Sequence, residues 1–320
     1  MNIQMKTEDK TNFVPMHDLA IHSSLEVDNQ NIIVGIGEIL WDVFPHGKVM
    51  GGAPANFAYH VSQFGLNGFA VSAIGDDELG NEIIENLNGN NLKYLIERTP
   101  FATGTVQVKL NTNGIPEYEI LENVAWDNIP FSPEMEALAL KTKTICFGSL
   151  AQRSTISQST INRFISFMPA DALRIFDINL RQHFYSRELI EKSLNLCNVL
   201  KINDDEVIIV GQLFELRAKS ELEICQYLID NFCIDMLILT KGVLGSFIIT
   251  PSETSFKPTP LVEVADTVGA GDSFTAAFVA AVLKGKSISD AHQFAVDVSA
   301  FVCTQHGAMP ILPDALKFKI

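Results

Sequence analysis

From residue 31 onward, short continuous apolar runs alternate with segments of helical period. IIVGIG (32–37) leads to a helix starting at Pro54, and AVSAIG (70–75) leads to a helix from Asp77. TICFGS (144–149), LRIFDI (173–178), NVLKIN (198–203) and MLILTKG (236–242) each neighbour an amphipathic segment. Apolar strands interleaved with helices predict an α/β fold, a mainly parallel sheet with helices on both faces. Ligands in such folds sit beyond the carboxyl ends of the strands.

One region breaks the rhythm. GTVQVKLNTNGIPEYEILENVAWD (104–127) alternates on both sides of the turn signal Asn113-Gly114, which predicts a projecting hairpin with no helix nearby. With residues 42–51 it reads as a small β lid able to close over a ligand and exclude water. Its exposed edges and single apolar face also predict pairing with a second copy, giving a homodimer. Residues 1–30 read as a polar N-terminal extension, loosely held or docked as an arm, and 31–320 as one domain.

The stretch EVADTVGAGDSFTAAFVAAVLKG (263–285) raises the question of chemistry. Phe274, Ala277, Phe278, Ala281 and Val282 recur at helical spacing, which predicts one buried face of an amphipathic helix that starts near Gly269–Gly271. The first N–H groups of a helix lack intrahelical acceptors, and the aligned peptide dipoles place partial positive charge there. Gly269, Ala270 and Gly271 carry little or no side chain, so a phosphate can approach those N–H groups closely. Alone, the same residues also fit a tight turn followed by an ordinary acidic first-turn residue, Asp272.

Composition narrows the setting. The 320 residues, 47% hydrophobic, suffice for one large buried core. A formal charge of −15 argues against a nucleic-acid partner, because polyanion binding rests on Lys and Arg, so any phosphate site must be local. The five cysteines (Cys146, Cys197, Cys225, Cys233, Cys303) lie in apolar segments without C-x-x-C spacing and read as core packing rather than a disulfide framework or zinc site. No apolar run approaches the ~20 residues of a membrane span, and the first 28 residues lack a secretory pattern. These features predict a cytoplasmic protein with no membrane partner.

Further candidates lie at predicted strand ends. GGAPANFAYH (51–60) places a glycine pair before a helix, with Pro54 at its start and Asn56 offering both a donor and an acceptor. Asp42, just after the first strand, can accept hydrogen bonds from two hydroxyls. Asn203 and Glu206 in KINDDE could orient Mg²⁺ through water, while helix capping by Asn203 and Asp204 accounts for the segment equally well. Thr240, Gly242 and Gly245 could line a nucleotide, or form a simple turn between strands. Common nucleotide motifs fail: Leu40 occupies the third glycine position after Gly35 and Gly37, and Gly285-Lys286-Ser287 ends a helix instead of opening one.

Together these motifs resemble the ribokinase-like, or phosphofructokinase B, family of carbohydrate kinases from about residue 31 to 312. The main carriers are Asp266-Thr267-Val268-Gly269-Ala270-Gly271-Asp272, matching D-T-x-G-A-G-D, and GGAPANFA in its expected place. The resemblance implies that Asp272 is the general base and that the Gly269, Ala270 and Gly271 backbone is the anion hole. It implies sugar contacts at Asp42, Gly52 and Asn56, to which Arg181 is added as a candidate cation near the sugar, and nucleotide contacts at Asn203, Thr240, Gly242, Gly245, His306 and Gly307. Mg²⁺ would bind through water at Glu206, and Asp266 corresponds to the monovalent-cation site, for potassium, of some members. The implied reaction is ATP-dependent phosphorylation of a free sugar.

GEILWDVFP, GGAPANFAYH, FGSLAQR and DINLR look most like bacterial fructokinases, which implies D-fructose going to fructose 6-phosphate, with 2-keto-3-deoxygluconate as the rival. Ala53 and Leu40 replace the Lys and Asn of ribokinases. A phosphorylated sugar would need added cations, for which Arg153 and Arg181 are the candidates. A different class, a sugar-binding regulator without turnover, would not need a positioned base.

Overall fold

The computed structural model describes residues 20–22, 32–45, 47–110 and 116–320. A short strand, β1 (Ala20–His22), is followed by β2 (Ile32–Ile36), β3 (Leu40–Phe44), β4 (Gly47–Gly51) and helix α1 (Ala53–Gln63). Next come β5 (Asn67–Gly75), α2 (Glu78–Gly89), β6 (Lys93–Thr99), β7 (Gly104–Leu110), β8 (Pro116–Ile120) and α3 (Pro133–Ala139). The centre of the chain gives β9 (Thr142–Gly148), α4 (Thr155–Phe167), β10 (Leu173–Asp177), α5 (Arg187–Leu196), β11 (Val199–Asn203), α6 (Asp204–Leu213) and α7 (Glu221–Phe232). It closes with β12 (Met236–Thr240), β13 (Ser246–Ile249), β14 (Thr254–Lys257), α8 (Ala270–Leu283), α9 (Ile288–Cys303) and α10 (Asp314–Lys317).

Ten strands form one sheet in the order β1-β6-β5-β2-β9-β10-β11-β12-β13-β14. From β6 to β12 all neighbours are parallel, and the edge strands β1, β13 and β14 run antiparallel. The chain travels from β2 outward to β5 and β6, then returns to β9 on the other side of β2. That reversal places a crevice at the carboxyl ends of β2 and β9, where open α/β sheets bind ligands.

The apolar runs are continuous because both sheet faces are covered. Ile32, Val34, Ile36, Phe147, Phe176, Leu200 and Leu237 pack toward one face with residues of α3 to α7. Their chain neighbours Ile33, Cys146, Ile175, Val199 and Ile238 pack toward the other, beneath α1, α8 and α9. At roughly 25 cal/mol per Å² of apolar surface, such two-sided burial is the dominant stabilising term.

Several expectations change. The helix after Gly269 has no solvent face along most of its length: Ser273 to Ala281 are all buried, because α8 lies between α1 and α9 against the sheet. The alanines permit that close three-helix contact. The sequence pattern does not show β6, β13 and β14. Part of the N-terminal extension, β1, pairs with β6 at the sheet edge; the rest of residues 1–30 lies outside the described residues. Cys146, Cys197 and Cys225 are buried, but Cys303 is half-buried and Cys233 is exposed. Cys233 ends α7 in the left-handed conformation (φ 52°), which turns the chain outward at that point.

A second sheet, β4-β3-β7-β8, stands off the first and is antiparallel except for the parallel β3–β7 pair. β3 continues β2 across only Gly37–Ile39, so Asp42 lies within this second sheet rather than just past the first. The projecting hairpin is β7 and β8; it ends at Ile120, and Ala125–Asn128 form a short helical turn where none was expected. The Asn113-Gly114 turn lies outside the described residues.

Candidate active site

Asp272 stands in the first turn of α8, whose N-cap is Gly269. Gly269 has φ 76°, and a Cβ there would lie 2.7 Å from the Ala308 carbonyl oxygen, so both conformation and close approach require glycine. Ala308 is itself held from α1: His60 Nε2 donates to its carbonyl at 2.8 Å, and burial pushes the His60 imidazole down to about 4, leaving it neutral. Among the described residues no side chain caps α8. The amide N–H groups of Gly271 and Asp272 are therefore left facing the crevice.

The carboxylate of Asp272 is fixed by Asn56, whose Nδ2 donates to Oδ2 at 2.8 Å; Asn56 Oδ1 is buried without a partner among the described residues. Burial, then the nearby Asp177 charge, push the Asp272 carboxyl up to about 6, while Asn56, Lys201 and Arg181 pull the other way. A base poised there is ionised at neutral pH and still a competent proton acceptor.

Three side chains that sequence reasoning did not single out, Lys201, Asp177 and Glu38, complete the floor. Lys201 Nζ donates to Asp177 Oδ1 at 3.0 Å, with both side chains more than nine-tenths buried. A Cβ built on Gly271 would come within 3.2 Å of that ammonium, so Lys201 lies under the glycine loop. Burial alone would push Lys201 down, but Asp177, Glu206 and Asp272 hold it above the usual lysine range. Glu38, in the turn after β2, is buried and pushed up to about 7, by burial first. They stand inside KINDDE, LRIFDI and GEILWDVFP; the readable signal was a charged residue within or directly after a run bound for the sheet.

Asp42 sits opposite Val49 in the second sheet, its carboxyl over Gly51 and pushed up by burial against the pull of Arg181. Gly52 is the N-cap of α1, which carries Asn56. Arg181 is exposed, and its charge acts on Glu38, Asp42 and Asp272 together, which places it across the mouth of the crevice. Arg153 is not available there. Its guanidinium makes a two-point ion pair with Asp127, donates to the Leu121 carbonyl and lies between the Trp126 and Phe184 rings at 4.1 and 4.4 Å.

On the far side, Asn203 and Thr240 are register neighbours at the ends of β11 and β12. The capping alternative is realised at Asn203, not Asp204: Asn203 Oδ1 accepts from the Glu206 N–H, and Glu206 Oε2 accepts from the Asn203 N–H. Glu206 Oε1 accepts from the Leu180 N–H at 3.0 Å, so each carboxylate oxygen keeps acceptor capacity for a metal-bound water. Among the described residues no three His, Cys, Asp or Glu side chains cluster to hold a metal alone. Such a donor set fits Mg²⁺ that keeps its waters and leans on substrate phosphates.

Gly242 and Gly245, both at positive φ, form the turn from β12 to β13, tied to the next segment by Thr259 Oγ1 donating to the Gly242 carbonyl. Asp266 accepts from the N–H groups of Val268 and Gly307, joining the loop before α8 to the bend after α9. His306 is exposed at that bend.

The profile of the pfkB family carbohydrate kinases matches residues 37–315. The chain belongs to that family. The kinase is 28% identical to fructokinase-2 of Oryza sativa subsp. japonica, over 88% of this chain and 91% of that one. It is 27% identical to an ATP-dependent 6-phosphofructokinase of Thermoanaerobacterium thermosaccharolyticum, over 90% and 92%. Its fold superposes on the crystal structure of an uncharacterized sugar kinase from Pyrococcus horikoshii in complex with ATP, with TM-score 0.73, 26% identity and coverage of 87% and 94%. The architecture is thus ribokinase-like, with the second sheet as its lid, and the protein is a sugar kinase. No helix among the described residues is long and apolar enough to cross a membrane.

Proposed function

We propose that this kinase transfers the γ-phosphoryl group of ATP to a hydroxyl of a free sugar, converting D-fructose to fructose 6-phosphate. The observation that carries the reading is Asp272 in the first turn of α8, oriented by Asn56 beside uncapped N–H groups. Asp272 takes the hydroxyl proton while the backbone of Gly269, Ala270 and Gly271 forms the anion hole: the free Gly271 N–H receives charge on the transferring phosphoryl oxygens, and the Ala270 N–H would first leave its 3.3 Å bond to the Thr267 carbonyl. Lys201, beneath Gly271, adds positive potential to the same point.

Asp42, Gly52, Asn56 and Arg181 hold the sugar under the lid. Asn203, Thr240, Gly242, Gly245, His306 and Gly307 hold the nucleotide, whose base would meet the exposed apolar residues Val243, Leu244 and Val268. Glu206 would hold Mg²⁺ through water, and the ion would neutralise charge on the phosphates. Asp266 would help hold potassium. Homodimerisation through the lid, where Phe44 and Val49 are exposed, and a cytoplasmic setting, in keeping with five free cysteines, complete the proposal.

Substrate choice follows from charge. Glu38, Asp42, Asp177 and Asp272 line or border the sugar side, while Lys201 is committed to Asp177 and Arg153 to Asp127. A neutral polyol suits that wall better than a phosphorylated sugar does. Arg181 remains as the cation at the mouth, and it favours 2-keto-3-deoxygluconate, a sugar acid, as the second reading. A coupled ADP-release assay with MgATP across D-fructose, 2-keto-3-deoxygluconate, D-ribose and fructose 6-phosphate tests the proposal. Fastest turnover on D-fructose is expected. Sugar binding without ADP release on any member would point to a regulator instead.

A further inference from the structure

Glu38 occupies the turn Gly37–Ile39 that joins the main sheet to the lid, and phosphoryl transfer by Asp272 and the glycine loop leaves its side chain without a role. It is 3% exposed, and its Oε2 is buried without a hydrogen-bond partner among the described residues. It lines a cavity of about 10 Å³ beneath Asp272, together with Asp177, Cys146, Phe57 and Thr275. A cavity of roughly that volume holds one water if polar partners surround it, and three carboxyl groups border this one.

We propose that Glu38 acts through Asp272 as a proton relay: the proton that Asp272 takes from the sugar hydroxyl passes through a water in this cavity to the Glu38 carboxylate. This rests on Asp272 being the base. As the sugar oxygen bonds to phosphorus and the bond to the ADP oxygen breaks, the sugar O–H proton moves to Asp272. Asp272 then gives that proton to the water, and the water gives one of its own to Glu38 Oε2. Asp272 ends ionised and Glu38 neutral, and Glu38 returns the proton to solvent when the lid opens.

The direction of transfer is favourable. Glu38 is pushed up to about 7, by burial first and then by the charges of Asp272 and Asp177, against the pull of Arg181. Asp272 lies at about 6. The other ionisable groups nearby are Lys201, paired with Asp177, and Cys146, whose thiol burial keeps neutral.

The test is Glu38→Gln, which keeps the shape and removes the acceptor. With saturating D-fructose and MgATP, the single-turnover rate at pH 7.5 should fall several-fold. The KM values should stay within about twofold, and the acid limb should move from about pH 7 to about 6 or below, a shift that a packing defect would not produce. Infrared difference spectra of the wild type should show a carboxylic-acid C=O band titrating near pH 7. An unchanged rate and limb in Glu38→Gln, or a raised KM for fructose with the limb in place, would overturn the relay. If the variant does not fold, a wild-type spectrum without that band overturns it equally. Asp272→Asn runs beside it: retained turnover there sinks the base assignment itself, whereas loss there with normal Glu38→Gln sinks only the relay.

Discussion

Lys201→Met removes a cation that the interior holds in place for one carboxylate. Lys201 Nζ lies 3.0 Å from Asp177 Oδ1, with the two side chains 9% and 7% exposed. Deleting one partner of such a pair leaves an uncompensated buried charge and costs about 3–5 kcal/mol. Asp177→Asn alone strands the ammonium and should cost a similar amount. Removing both charges should recover part of the loss, so a double-mutant cycle should return a coupling of about 2 kcal/mol or more. Urea unfolding at constant m-value reads these energies. A kinetic sign accompanies them: Asp177 is the charge that most raises Asp272 after burial, so Asp177→Asn should move the acid limb of kcat/KM to lower pH. Lys201→Met costing under about 1 kcal/mol, or a limb that moves upward in Asp177→Asn, would refute the view that this pair is desolvated and coupled to the base.

Gly269→Ala should be disproportionately harmful for one methyl group. The left-handed backbone adds roughly 1–2 kcal/mol, and the new Cβ would lie 2.7 Å from the Ala308 carbonyl oxygen. A lowered melting temperature and a raised KM for ATP should appear together; an unaffected KM would separate this glycine from the phosphate site. Stability should also report Asp272. Its folded value, about 6, lies above the ordinary 3.8, so the folded state binds the proton more tightly, and the group's contribution is best below pH 4 and is lost as pH rises through 6. Asp272→Asn should therefore stabilise the protein by about 1–3 kcal/mol at pH 7.5 and by about half as much at pH 5, as read by thermal melts. Equal gains at both pH values would contradict the raised value.

The alternation of apolar runs and helical periods was enough to place β2, β5, β9, β10, β11 and β12, because two-sided burial leaves a continuous signal. It missed β6, β13 and β14. Lys93–Thr99 carries charge at both ends, and Thr254–Lys257 is an exposed edge whose composition alone resembles a loop. Gly269, Asp272 and Asn56 were legible because a glycine pair directly before a helix marks backbone that something must approach closely. The Asn56–Asp272 bond itself spans 216 positions, and no local pattern encodes it. Lys201 and Glu38 were hidden for a related reason. In sequence each is one charge beside a strand, and only the sheet's register brings them to Asp272. Arg153 misled in the opposite sense, since Asp127 and two aromatic rings take its charge inward.

The most direct measurement is turnover of Asp272→Asn at saturating D-fructose and MgATP, with both affinities determined by calorimetry on the same preparation. Loss of the base should lower kcat by about 10²–10⁴. Sugar and ATP affinities should stay within a few-fold, because Asn keeps the size of the side chain and its bond to Asn56. A variant that binds both ligands and turns over at near wild-type rate would place the proton acceptor elsewhere and contradict the assignment of Asp272 as the base.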